Sequence, residues 1–374
     1  MPNWLDGERR DRVLCELVNP SGYGHVGWLD GVTNVRVTEG YESDTRINAS
    51  VTTIAPETYA DLAMVRLIHV ATFAGGEEWR EVIGTFFAMR DADNYRNGAS
   101  ETTFQLRSAL YGMSEDLAPL DLTVAKGSTT SAAFAKMCQA CKRPRLWVDG
   151  ANDARFSTNR TFAAGESYLS WLHQLANATG NRLDVDPQGR VTMSKYTRPK
   201  QRAAGMRLAW NSPLVLSSGI RRTSNAAEVP GRAVVTWEHE KKVRVRNGTY
   251  TYGANKGRPK YTEKTVRSTV TAYADAAPGS PTDIDRRGYR ITSWHAEDDL
   301  GESQAVAQQR AAQYLDEEDE PRVTWEVPCR WFDVHEGDVI AWLPPGASGW
   351  RKCLVHNLDR NLSDFVQTIT LREV

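Results

Sequence analysis

The chain has 374 residues, a length that predicts two or three domains rather than one. Hydrophobic residues make up 40% and charged residues 25%, which is typical of a globular protein. The formal net charge of −1 excludes binding to nucleic acid or to anionic membranes through the overall charge of the chain. No run of about 18 apolar residues is present, so the sequence predicts no membrane span. The first residues also lack the apolar core of a signal peptide.

The first hundred residues have the pattern of short β-strands separated by turns. Ile47, Ala49 and Val51 alternate with polar residues, which is the period of a half-buried strand. Apolar runs end in turn residues at 19–22 and at 75–76. Many short strands of this kind predict a barrel or a sandwich.

The middle of the chain changes to an α+β pattern. Residues 128–142 begin with hydroxyl residues that can cap a helix and end in basic residues before Pro144. A second helix is predicted from Ser167 to Thr179, with leucines on one face and Gly180 after it. The stretch 183–193 then alternates around a turn and predicts a β-hairpin.

Strand patterns return at about residue 208 and are interrupted before the C-terminus. Asn247 and Gly248 are the strongest short hairpin signal, and they lie between two runs that predict strands. Residues 253–290 are rich in Gly, Pro, Lys, Thr and Asp and predict an extended, partly mobile insertion. An Ala- and Gln-rich helix is predicted at 303–317, and strands follow at 323–327, 339–343, 353–358 and 366–371.

Three motifs suggest chemistry, but each has a better structural interpretation. Gly22, Gly24 and Gly27 match a dinucleotide-binding pattern, but no helix follows them, so we interpret them as a hairpin loop. Cys138 and Cys141 lie late in a predicted helix without a second ligand pair, which favours two buried cysteines over a zinc or redox site. The carboxylates Asp149, Asp153, Asp184 and Asp186 could suggest a glycosidase pair, but the turn explains Asp186. We therefore predict no catalytic, cofactor-binding or metal-binding residue.

Two groups of residues are candidates for interactions. Residues 241–267 contain nine basic residues and one acidic residue, with tyrosines between them; the first four basic residues are Lys241, Lys242, Arg244 and Arg246. This pattern fits either an acidic partner surface, which we favour, or a nucleic-acid groove that could line a DNA channel. The aromatic residues Trp331, Trp342 and Trp350 could anchor subunit contacts or fill a barrel core.

The order of these elements resembles the hub protein family of phage tails and baseplates. The resemblance rests on the helix 305–315, the His335-Glu-Gly-Asp-Val-Ile segment with its following strands, and the helix, Gly180 and hairpin pattern at 165–191. It implies a mainly β fold with α+β parts and two β-barrels per chain. We divide the chain accordingly into a first barrel at 1–107, an α+β domain at 108–207, a second barrel at 208–238 plus 322–374, and an insertion with a basic hairpin and a helix at 239–321.

The resemblance also implies a function. Three chains would form a pseudo-sixfold ring that joins the tail tube to the tip and leaves a channel for viral genome ejection. The implied partners are the distal tail protein, the tape-measure protein and a spike or fibre protein, with DNA only in transit. Such a minor tail protein is assembled in the host cytoplasm and located in the virion. Many members carry a C-terminal enzyme or receptor-binding domain, whereas this chain stops at Val374 after the last predicted strand, so we expect no enzyme.

Three alternatives remain open. A distal tail ring protein would assemble with sixfold rather than threefold symmetry. A glycan-binding module would use exposed, coplanar tryptophans. A tail-associated hydrolase would need a cleft with paired carboxylates or a zinc site.

Overall fold

The computed structural model of the protein describes residues 9–54, 64–96, 99–141, 146–149, 153, 155–156, 159–224, 229–249, 251–253, 255–280, 282–296, 304–318 and 323–374. The chain divides into two compact units, one formed by residues 1–222 with 324–374 and the other by residues 223–323. The fold is mainly β with α+β parts, as the sequence predicts. The four-part division made from the sequence stays a prediction.

The first unit begins with seven strands: β1 (Arg9–Val18), β2 (His25–Trp28), β3 (Val32–Gly40), β4 (Ile47–Thr53), β5 (Met64–Phe73), β6 (Glu78–Arg96) and β7 (Ala99–Arg107). They pair antiparallel in the order β3-β4-β7-β6-β5-β1-β2. The predicted alternation is observed in β4, where Ala49 and Val51 are buried and Asn48 and Ser50 are less buried. Strand pairing within the described residues does not close this sheet, so a closed barrel stays a prediction.

A small α+β part follows: α1 (Ala109–Glu115), β8 (Leu122–Val124), α2 (Thr130–Ala140), β9 (Leu146–Asp149), β10 (Arg160–Phe162), α3 (Tyr168–Thr179), β11 (Asn181–Val185) and β12 (Val191–Lys195). The side chain of Thr129 caps α2 by accepting a hydrogen bond from the backbone N–H of Ala132. The predicted leucine face of α3 is buried in the core of this part. β11 and β12 form the predicted hairpin, and β12 also pairs parallel with β9.

The chain then passes through the 3₁₀ turns 199–201 and 217–219 and the short strands β13 (Met206–Ala209) and β14 (Arg221–Ser224) into the second unit. This unit contains β15 (Arg232–Thr249), β16 (Pro259–Asp275), α4 (Ile284–Arg287), β17 (Thr292–Ala296) and α5 (Gln304–Glu318). β15 pairs antiparallel with β16 along its length and parallel with β17 near its start. α5 confirms the predicted Ala-rich helix, and its Ala307 and Ala311 pack against one face of the sheet.

One prediction for the second unit is wrong. The chain does not reverse at Asn247 and Gly248, because β15 continues to Thr249 and the two residues form a bulge opposite β16. Gly248 has a φ of 112°, and this conformation accommodates the bulge. The region 253–290, predicted as an extended insertion, contains the 17-residue strand β16, which the sequence pattern did not reveal. The outer part of β16 is exposed on both faces and therefore lacks the alternation that indicates a half-buried strand.

Four C-terminal strands return to the first unit: β18 (Val323–Arg330), β19 (Val339–Leu343), β20 (Arg351–Asn361) and β21 (Val366–Glu373). They pair in the order β18-β21-β20-β19, and β13 joins β19. β20 also pairs antiparallel with β3, with Arg360 opposite Val37. The N-terminal and C-terminal strand sets are therefore parts of one hydrogen-bonded sheet, and we call the β3–β20 pairing the seam.

A tight approach at Gly31 gives a first prediction for stability. Gly31 has a φ of +67°, and a Cβ at this position would lie 2.5 Å from the carbonyl oxygen of Ile54. We expect Gly31→Ala to lower the free energy of unfolding by about 1–3 kcal/mol, because it adds both backbone strain and a clash. Gly75→Ala is the control, since its Cβ would meet open space. Chemical denaturation measures the free energy of unfolding of both variants. Equal losses in Gly31→Ala and Gly75→Ala would contradict this account.

Candidate interaction surface

The second unit carries a long β-hairpin whose outer part extends away from its core. The inner part of the hairpin, including Val235 and Trp237, is buried under α5. In the outer part, residues 244–249 of β15 and 259–269 of β16 are exposed on both faces. We call residues 243–249 and 259–269 the ribbon. An isolated two-stranded ribbon is only marginally stable in water, and contact with another surface would stabilise it.

Five of the nine predicted basic residues lie in this ribbon: Arg244, Arg246, Lys260, Lys264 and Arg267. Arg244 is opposite Glu263, with 3.8 Å between Nε and Oε1, and Arg246 is opposite Tyr261. Residues opposite each other in an antiparallel pair share a face, so the two arginines, Glu263 and the exposed Tyr261 lie on one face of the ribbon. The backbones of Lys241 and Lys242 lie on β15 next to the ribbon, but their side chains are outside the described part of the structure.

The structure separates the three tryptophans that we considered as subunit anchors. Trp331 and Trp342 are completely buried and fill the core of the first unit, which corrects their prediction as interface residues. A side chain buried within its own chain has no surface to offer to a neighbour. Trp350 is 45% exposed and lies beside the guanidinium of Arg207, so it alone keeps the predicted role.

The glycine motif and Asp186 have the structural roles that we favoured from the sequence. Gly22, Gly24 and Gly27 belong to the antiparallel β1–β2 hairpin. Asp186 holds the turn after β11, because its backbone and side-chain oxygens accept hydrogen bonds from the amides of Gly189 and Arg190. The side chain of Asp153 accepts a hydrogen bond from the amide of Ser131 in α2, and that of Asp149 lies outside the described residues.

All five cysteines are buried thiols outside any disulfide bond, and burial is what we predicted for Cys138 and Cys141. Burial raises the pKa of the thiols of Cys15 and Cys329 to about 12, and burial is also the main cause of the raised pKa of Cys353. Because the thiolate is the reactive form, we expect none of the five to react with a thiol reagent at pH 8 within an hour under native conditions. All five should react after denaturation; rapid native labelling of the Cys138–Cys141 pair would contradict this packing.

A group of charged side chains near the seam was not predicted from the sequence. His335 lies between β18 and β19, and its Nε2 is 3.1 Å from Oε1 of Glu81 on β6 and 3.2 Å from Oδ1 of Asp333. Its Nδ1 is 3.9 Å from Oε2 of Glu39 on β3. The contacts with Asp333, Glu39 and Glu81 raise the pKa of His335 above its usual range, against the effect of burial. This group contains the ligand types that could hold a metal ion.

The same group borders a buried ion pair and an open cleft. Arg360 on β20 is completely buried and donates hydrogen bonds to Glu39 and to the backbone carbonyl of Val334. A cleft of about 320 Å³ lies beside them, lined in part by Glu39, His335 and Asp184. The sequence offered no signal for this group, because its members come together only through the seam.

Comparisons with known proteins identify the fold. No protein-family model matches the sequence, and no curated protein matches it. The structure is similar to a tail protein from Neisseria meningitidis MC58, with a TM-score of 0.66, 12% identity, and coverage of 97% of this chain and 96% of that one. It is similar to the 43 kDa tail protein of prophage MuSo2 from Shewanella oneidensis, with a TM-score of 0.64, 11% identity, and coverage of 97% and 98%.

A third solved structure extends the same likeness. The prophage tail protein gp18 from Listeria monocytogenes EGD-e has a TM-score of 0.52 and 9% identity, over 96% of this chain and 94% of that one. The chain therefore has the fold of phage tail proteins, which confirms at the level of the fold the resemblance drawn from the sequence. Within the described residues, no helix is long and apolar enough to cross a membrane.

Proposed function

We propose that this chain is a structural subunit of the tail tip or baseplate of a tailed phage or a related injection machine. Three copies would form a pseudo-sixfold hub ring that joins the tail tube to the tip and leaves a channel for DNA. The observation that carries the proposal is the likeness to two tail proteins over nearly the whole of both chains. The distal tail protein, the tape-measure protein and a spike or fibre protein are the proposed partners, and the virion is the proposed location.

The strand order supports the threefold arrangement. The seam places the N-terminal and C-terminal antiparallel strand sets side by side in each chain. Three such chains around an axis would present six strand sets, which would match a threefold tip to a sixfold tube. This role is mechanical, and we propose no catalytic step for it.

The ribbon is the part of the chain that we propose to dock on an acidic partner surface. The stretch 241–267, which contains most of the ribbon and the residues between its two strands, holds nine of the 46 basic residues of the chain and one of its 47 acidic residues. The rest of the chain therefore has nine more acidic than basic residues, so a neighbouring copy is itself a complementary partner. Contact with a neighbour would also stabilise a two-stranded element that is marginal alone.

Charge reversal tests this role of the ribbon. We expect Arg244→Glu combined with Arg246→Glu to weaken self-association by at least tenfold without lowering the thermal stability of the monomer, since both side chains are exposed. The control combines Lys126→Glu with Lys195→Glu, which changes the net charge equally at exposed positions outside the ribbon. Equal weakening by both pairs would mean that only the net charge matters, and loss of DNA binding alone would favour the channel alternative.

Deletion of the gene tests whether the protein is structural. A hub subunit is needed to complete the tail, so particles that lack it should show no joined tube and tip by electron microscopy. An enzyme or glycan-binding accessory would be dispensable for assembly. Complete tails in the deletion strain would therefore contradict the proposal, and restoration by the chain expressed in trans would support it.

A further inference from the structure

Three side chains with metal-binding atoms meet in the first unit, outside the proposed docking surface. Glu81 comes from β6 of the N-terminal strand set, and Asp333 and His335 come from the connection between β18 and β19 of the C-terminal set. One imidazole nitrogen, Nε2, faces both carboxylates. One oxygen or nitrogen atom of each residue lies within 4.8 Å of the corresponding atom of both others.

The distances between these atoms match the edges of a metal coordination sphere. Nε2 of His335 is 3.1 Å from Oε1 of Glu81 and 3.2 Å from Oδ1 of Asp333. Ligand atoms lie about 2.0–2.2 Å from a bound metal ion. Two neighbouring ligand atoms are then roughly 3.4 Å apart in a tetrahedral site and about 3.0 Å apart where their bonds to the metal form a right angle. The measured separations therefore need little movement of the three side chains to admit an ion.

The electrostatics of the site also favour a cation. The side chain of Glu81 is only 11% exposed, and its Oε2 is completely buried and receives no hydrogen bond from the described residues. A buried carboxylate oxygen without a donor is costly. Arg360 is the nearby permanent cation, but its guanidinium is committed to Glu39 and to a backbone carbonyl. The imidazole of His335 is the group that contacts both Glu81 and Asp333.

The surroundings of His335 resemble those of a metal-binding histidine. Such a histidine usually presents its second ring nitrogen to a carboxylate, which orients the ring. Nδ1 of His335 lies 3.9 Å from Oε2 of Glu39, and Glu39 is fixed in place by Arg360. The backbone around His335 is also fixed by hydrogen bonds, because the amide of His335 donates to the side chain of Asp338 and the amide of Glu336 donates to the side chain of Glu39.

We propose that Glu81, Asp333 and His335 bind a divalent transition-metal ion, with Zn²⁺ as the best match to one imidazole and two carboxylates. Ca²⁺ and Mg²⁺ match this set of ligands less well, because they prefer oxygen ligands and the imidazole supplies nitrogen. His335 and Asp333 are partly exposed, which leaves an open position for water on the ion. The ion ties the β18–β19 connection to β6, and so links the C-terminal strand set to the N-terminal one at a second place besides the seam.

Titration with zinc tests the proposal. The protein is first treated with EDTA to remove bound metal and then dialysed to remove the EDTA. We expect saturable binding of one Zn²⁺ per chain by calorimetry, a rise of the melting temperature that saturates at the same ratio, and no comparable effect of Ca²⁺. Glu81→Gln and Asp333→Asn keep the size of each side chain and should each weaken Zn²⁺ binding by at least tenfold. Glu42→Gln is the matched control, because Glu42 contacts His356 at 3.3 Å but does not belong to the three-ligand group.

Either of two results would overturn the proposal. The first is the absence of saturable Zn²⁺ binding by the wild-type chain, in which case a protonated His335 alone bridges the carboxylates. The second is equal affinity in the wild type, Glu81→Gln and Asp333→Asn, which would place the ion elsewhere. If one variant does not fold, the other still decides between these results, and circular dichroism establishes which of them is folded.

Discussion

Replacement of Arg360 by methionine should cost about 3–5 kcal/mol of unfolding free energy, because it leaves the carboxylate of Glu39 buried without its cation. The side chain of Arg360 is 0% exposed and that of Glu39 is 4% exposed. The guanidinium also lies over the ring of Trp331, with 4.6 Å from Cζ to the ring centroid. Denaturant unfolding in the presence of EDTA measures the loss without any contribution from a bound metal ion.

The seam offers a matched control for this prediction. Arg36 on β3 pairs with Asp359 on β20, with 2.8 Å between Nε and Oδ1, and both side chains are exposed. Solvent screens such a pair, so Arg36→Met should cost only about 0–1 kcal/mol. The two variants remove the same charge from the same pair of strands and differ chiefly in burial. Similar losses in both would contradict the claim that the buried pair holds the seam.

A second substitution, at Glu39, tests whether the loss in Arg360→Met comes from a buried carboxylate that has lost its partner. If the loss in Arg360→Met comes from the uncompensated charge, then adding Glu39→Gln to that variant should recover part of it. The recovery would appear as a non-additive double-mutant cycle. An additive result would show that the arginine stabilises the seam through its other contacts, with the carbonyl of Val334 and the ring of Trp331, and not through Glu39.

Trp331→Ala should be the most damaging change in the core, with an expected loss of about 3–5 kcal/mol. The indole is completely buried among side chains of the N-terminal strand set, although Trp331 itself follows β18 of the C-terminal set. Its ring centroid lies 4.7 Å from that of His69 on β5. Removal of the ring therefore leaves a cavity where the two strand sets pack together.

Trp350→Ala is the control for the core substitution. Its indole is 45% exposed, and its described ring contact is the guanidinium of Arg207 at 5.6 Å from the ring centroid. We expect its removal to change the unfolding free energy by no more than about 1 kcal/mol. Thermal or denaturant unfolding of the two variants should differ strongly; equal losses would mean that Trp331 is not the core residue that joins the two sets.

Local patterns in the sequence predicted most of the elements correctly. The alternation in β4, the leucine face of α3 and the turn at Asp186 each depend on neighbours close in the chain, and each is present in the structure. The C-terminal strands β19 and β21 also begin where the apolar runs predicted. These features could be predicted because the residues that decide them are only a few positions apart.

The failures have a physical reason in common. β16 has exposed side chains on both faces of its outer part, so it lacks the period of two that a half-buried strand shows. Asn247 and Gly248 have the residues of a two-residue turn, but the pairing of β15 with β16 continues past them and converts them into a bulge. In both cases the partner strand, and not the local sequence, decides the structure.

The candidate sites also depend on contacts that are distant in the chain. Glu81 is far in sequence from Asp333 and His335, and only the packing of the two strand sets brings them together. Tryptophan content could not separate the buried Trp331 and Trp342 from the exposed Trp350, because the same residue type suits a core and an interface. The sequence showed that residues 241–267 are rich in basic residues, but it did not predict the two long paired strands that carry them.

The mass of the purified chain in solution is the most direct test of the proposed hub. Light scattering over a wide range of concentrations, with negative-stain images of the same sample, should give three times the 41.8 kDa of one chain and a ring with a central hole. A hexameric ring would contradict the threefold hub and favour a distal tail ring protein. A monomer at every concentration would contradict the claim that this chain closes a ring with its own copies.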